Sequence, residues 1–136
     1  MTLFTSGTWS NTNQHQIALT QSVYEFMCDK FPQIKGSDVE VNRVDLSYDG
    51  VFGWCELAEE LMYKEFFIQI HNDLNDKDYV ITLIHELVHV KQTCDNFMND
   101  ERREEEASIW EKILSKEYWD NVTTVHKTNT RELNRV

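Results

Sequence analysis

The sequence predicts a single α+β domain, on three observations. Residues 11–31 lack Gly and Pro and carry apolar side chains at helical spacing. Short apolar segments cluster between residues 39 and 71, and two further helical segments follow residue 76. Strands grouped between helices, rather than alternating one for one with them, point to α+β. A chain of 136 residues supports one core. With 40% hydrophobic and 27% charged residues it folds rather than staying disordered. The expected core covers about residues 10–118. Residues 119–136 are a polar tail with no assignable structure, either frayed or folded back over the site.

The first helix is expected to start near Ser10 or Asn11 and to stop at Pro32, with Ile17, Val23, Tyr24, Met27 and Phe31 on its apolar side. Lys35-Gly36-Ser37 reads as a turn. Val39, Val41, Val44 and Leu46 suggest a strand with a bulge where the alternation slips. Tyr48-Asp49-Gly50 turns into a second strand at 51–57, and residues 58–65 are ambiguous between helix and strand. In the third strand, Phe66, Ile68 and Ile70 share one face, and Phe67, Gln69 and His71 the other. Asp76 or Asp78 is the expected N-cap of a helix running to about Thr93. That helix is apolar on most of its circumference and therefore central in the domain. A last helix spans about Asp100 to Tyr118.

The balance of 13 Lys+Arg against 24 Asp+Glu gives a net charge of −11. Phosphate tracking needs a cationic face, so this balance argues against direct nucleic-acid binding. No apolar run is long enough to span a membrane, and the N-terminus has no secretory pattern. Cys28, Cys55 and Cys94 form no CxxC and read as free thiols, which places the chain in the cytoplasm.

The central helix contains His85-Glu86-Leu87-Val88-His89. Residues at i and i+4 lie about 40° apart around a helix axis, so both imidazoles can converge on one ion. Glu86 lies about 100° from His85, on the flank of that face, where it can reach a water on the ion. Two neutral nitrogen ligands and a flanking carboxylate base meet the needs of a zinc hydrolase. Two buried histidines and a glutamate on the most apolar helix would also be costly without a partner. A third ligand is sought downstream. Ala107, Trp110 and Leu114 mark the inward face of the last helix, and Glu104 falls on that stripe. Glu104 is the favoured ligand, with Glu105 and Glu106 as alternatives and His126 as a weaker one. Gln92, on the face of His85 and His89, is a candidate hydrogen-bond partner for a ligand. Tyr63 and Tyr118 could donate to an oxyanion but fit ordinary packing better.

Thr82-Leu83-Ile84-His85-Glu86-Leu87-Val88-His89, followed by Glu104-Glu105-Glu106-Ala107, resembles the zincin metallopeptidases of the glutamate-ligand branch. The pattern is similar to the minigluzincins and SprT-like peptidase domains common in phage and microbial genomes. Lys91 departs from it, standing where an apolar residue is usual. The resemblance implies a zincin-like fold over about residues 10–118: an N-terminal helix, a small twisted, mainly antiparallel sheet, the HExxH helix and a glutamate-bearing helix. It also implies a Zn(2+) cofactor and a peptide or protein substrate docked along an edge strand at Phe66–His71, which makes Phe67, Gln69 and His71 candidate substrate-binding residues. His71 is either an oxyanion donor or a solvated strand end. Glu86 would be the general base. The competing function is a catalytically silent zincin-fold binding or assembly protein, and Glu86 favours the enzyme because a pure binder needs no base.

Overall fold

A computed structural model describes the backbone of residues 2–7, 14–57, 65–97 and 99–134, with side chains described at 3, 15–56, 65–97 and 99–122. The architecture is α+β: three helices and a small mixed sheet. In chain order the elements are β1 (Thr2–Gly7), α1 (Gln14–Lys30), a 3-10 turn (Pro32–Gly36), β2 (Asp38–Val44), β3 (Gly53–Leu57), β4 (Glu65–His71), α2 (Asp76–Cys94) and α3 (Asp100–Asn134).

The sheet order is β1-β2-β4-β3. β1 pairs parallel with β2, β2 parallel with β4, and β3 antiparallel with β4. Two of the three pairings are thus parallel, which corrects the expected mainly antiparallel sheet. Parallel neighbours need a crossover, and α1 supplies it between β1 and β2. The same order corrects the expected edge. β4 is hydrogen-bonded on both sides, by β2 and by β3, so no peptide can add to the Phe66–His71 backbone. Among the described residues the edge on that side is β3.

Val39, Val41, Phe66, Ile68 and Ile70 face the helices and form the core with Val23, Met27, Tyr79, Leu83, Leu87 and Leu114. β2 needs no bulge. Its buried positions alternate strictly because Arg43, not Val44, points inward, and the guanidinium donates to the carbonyl of Asn72. Phe67, Gln69 and His71 lie on the outer face of the sheet: Phe67 is 41% exposed, Gln69 accepts from the Trp54 indole, and His71 Nδ1 accepts from the Leu46 amide at 3.1 Å.

α2 is buried almost all round, as its apolar circumference requires. Its cap is Asn75, one residue before Asp76 and three before Asp78, the two expected caps; the carboxamide accepts from the Asp78 amide at 2.8 Å. Asp76 and Asp78 sit in the first turn, where negative charge complements the helix dipole. At the other end the amide of Phe97 bonds the carbonyl of Gln92 at 2.8 Å and that of Asn96 bonds Thr93 at 3.1 Å. Asn96 adopts φ 59°. This is a Schellman reversal, with Asn at the left-handed position that asparagine tolerates better than most residues. Asn99 then caps α3 through the Arg102 amide at 3.1 Å. The tight turn returns α3 directly against α2, and fully buried Ala107 permits the close approach. α3 does not stop near Tyr118 but stays helical to Asn134, so residues 120–134 do not fold back over the site. The expected cap at Ser10 or Asn11, Tyr63 and most of the ambiguous 58–65 segment lie outside the described residues, as does the side chain of His126.

Candidate metal centre

α2 and α3 bring His85, His89 and Glu104 together: one ligand atom from each lies within 4.8 Å of the others. His89 Nε2 stands 2.8 Å from Glu104 Oε1, and His85 Nε2 stands 3.4 Å from Glu104 Oε2. Donors about 2.0–2.1 Å from a tetrahedral ion are roughly 3.3 Å apart, so this spacing fits one small cation.

The tautomers follow from the other ring nitrogens. Gln92 is fully buried, and its Nε2 donates to the Arg103 carbonyl at 2.9 Å and toward Glu106 Oε1 at 3.3 Å. Its Oε1 is therefore the atom 2.8 Å from His89 Nδ1, and it can only accept. The His89 proton sits on Nδ1, and the Nε2 lone pair faces a carboxylate oxygen. His85 repeats the pattern: Nδ1 lies 3.2 Å from Glu111 Oε2, which leaves Nε2 toward Glu104. Two acceptors facing each other at 2.8 Å require positive charge between them, either a proton or a metal. Burial lowers the pKa of His89, while the Gln92 hydrogen bond and the Glu104 carboxylate act against that shift. The donor set of two imidazoles and a carboxylate could hold a divalent metal ion.

Comparison with protein-family models, curated proteins and solved structures finds no match for this chain.

Glu86 is buried and lines the same cleft, of about 820 Å³, as the three donors. Burial first, then the neighbouring Glu104 and Glu111 carboxylates, push its pKa up to about 8. Its stem packs near Gly53 of β3. A Cβ on Gly53 would come within 2.7 Å of Thr82 Cγ2, 2.9 Å of the Gln69 carbonyl oxygen and 3.6 Å of Glu86 Cγ. Glycine at 53 is what lets the edge strand close on the helix carrying the carboxylate.

Of the alternative ligands, Glu105 belongs neither to the donor cluster nor to the cleft lining, and Glu106 is drawn to Gln92 and to Lys91 at 3.8 Å. Tyr118 is core: its hydroxyl donates to Ser22 at 2.9 Å. Phe67, Gln69 and His71 do not line the cleft, so their expected substrate contact is withdrawn. The expected alternation along β4 holds, but these three side chains lie on the sheet face away from α2. Sequence reasoning missed Glu111. Its position seven residues after Glu104, about two helical turns, was the available signal.

Proposed function

We propose that this protein is a zinc-dependent peptidase of zincin-like architecture, with His85, His89 and Glu104 as metal ligands and Glu86 as general base. The observation that carries this reading is the set of three lone-pair-bearing atoms converging beside a buried carboxylate. A bound zinc ion supplies Lewis acidity toward a water and a carbonyl oxygen. Held ionised by the charge of a bound ion, Glu86 would take a proton from the attacking water and deliver it to the leaving amine nitrogen. Gln92 and Glu111 hold the imidazoles with Nδ1 protonated, so each Nε2 stays a donor to the ion. An extended peptide pairs along β3, the strand that lines the cleft, rather than along β4. Among the described residues Cys28, Cys55 and Cys94 form no disulfide with one another, which supports placement in the reducing cytoplasm. Asp100, Glu104 and Glu111 on the cleft wall favour a peptide over a nucleic acid as substrate. A silent binding protein would gain nothing from burying Glu86 beside the donors.

The purified protein should carry about one zinc per chain and melt at lower temperature after chelation. Glu86→Gln should keep the zinc and lower casein hydrolysis by about 10²- to 10⁴-fold. A melting curve indifferent to chelator would remove the metal site; undiminished hydrolysis by the variant would remove the base.

A further inference from the structure

We propose that Val51 and Phe52 form a specificity lip that receives a bulky apolar side chain of the peptide and discriminates against an acidic one. The inference rests on the peptidase reading and names the substrate class of that same cleft. Val51 is 40% exposed and Phe52 57%, and both line the cleft, with Ile81 of α2 also on its wall. Large apolar side chains left in water forfeit the burial that core residues gain.

The lip cannot readily collapse inward, because the loop carrying it is pinned at both ends. The Leu46 carbonyl accepts from the amides of Asp49 at 3.0 Å and Gly50 at 3.2 Å, and the Leu46 amide is held by His71 Nδ1. Gly50 sits at φ 67°, the left-handed conformation glycine adopts without strain. Phe52 is tied by its carbonyl to the amide of His71 at 2.7 Å. Such a held, water-facing apolar surface is pre-organised for a ligand.

Charge completes the selection. Glu86, Glu104, Glu111 and Asp100 line the cleft that the lip borders, and so does Arg103. With zinc bound and Arg103 on the wall the cleft's own charges largely cancel, so the selection against a carboxylate comes from its desolvation against Val51 and Phe52 and from the chain's net charge of −11. The occupant is therefore an extended peptide with a residue such as Leu or Phe against the lip and no Asp or Glu beside it.

The test uses zinc-loaded Glu86→Gln protein and fluorescent decapeptides differing at one central residue: Leu, Ala or Asp. By anisotropy the Leu peptide should bind about tenfold tighter than the Ala peptide, with the Asp peptide weakest. Adding Phe52→Ala should bring Leu down to the Ala level, Phe52→Leu should preserve the preference, and Phe67→Ala, on the outer face, should not alter the ranking. Equal binding of Leu and Ala, a uniform loss for all peptides with Phe52→Ala, or an Asp peptide as tight as Leu would each overturn the proposal. If the ranking holds while the parent protein cleaves no peptide, the hydrolytic reading fails and the lip stands. If the parent cleaves Leu and Ala peptides alike and binds them alike, the lip fails and the hydrolytic reading stands.

Discussion

The two walls of the cleft solve opposite problems. On the helical wall the ring nitrogens facing away from the cluster are assigned a partner: Gln92 fixes His89, and Glu111 fixes His85. On the strand wall, the loop leading into β3 is held by backbone bonds at Gly50 and Phe52 while the side chains of Val51 and Phe52 face water. The difference teaches where precision is needed. A cation centre tolerates little misplacement of its donors, so hydrogen bonds surround it. An apolar contact is non-directional and needs only an anchored backbone.

Substitutions on the helical wall should separate the two most sharply. Glu104→Ala should weaken zinc by more than about 100-fold, because losing a ligand exceeds the loss of a supporting bond, while Glu105→Ala should leave affinity unchanged. Competition with a chelating dye measures both; equal effects would break the assignment of Glu104.

The next effect is one of pH on the metal-free protein. The folded pKa of Glu86, about 8, lies above its ordinary 4.5, so the native state holds a proton that the unfolded chain releases. That contribution is full below about pH 4.5 and lost as pH rises through about 8. Metal-free protein should lose on the order of a few kcal/mol of stability across this window. Glu86→Gln should flatten that dependence in urea unfolding. A parent curve already flat there would show that Glu86 is not desolvated.

Where the walls meet, Gly53→Ala should cost about 1–3 kcal/mol by overpacking against Thr82 and the Gln69 carbonyl. Thermal unfolding reads this, and no change in melting temperature would mean the strand and helix are not in close apposition. Smallest is Glu111→Gln, which keeps shape and removes charge. Zinc should bind about 10-fold more weakly, with Glu117→Gln on the same helix as an unaffected control.

The pattern of what the sequence disclosed follows the same division. His85, Glu86 and His89 were legible because one helical turn fixes their relation, and Gln92 falls on the same face. Glu104 was legible from the stripe shared with Ala107 and Leu114. Glu111 was not, because its partner is on another helix and the crossing of α2 with α3 decides who meets whom. The sheet was misread for a related reason. Thr2–Gly7 carries no strong strand pattern, so the β1–α1–β2 crossover, and the parallel pairing it brings, went unseen. Insertion of β4 between β2 and β3 depends on non-local pairing, which alternation within Phe66–His71 does not encode.

The Schellman reversal at Asn96 puts the whole proposed donor set inside one helical hairpin, residues 85–111. Such a hairpin is joined by short-range contacts, which form quickly during folding. The proposed cation holder is thus a nearly self-contained cassette, whereas the loop of Val51 and Phe52 belongs to a distant stretch of chain. Mutational drift in that loop would retune the proposed peptide preference while leaving the proposed donor set in place.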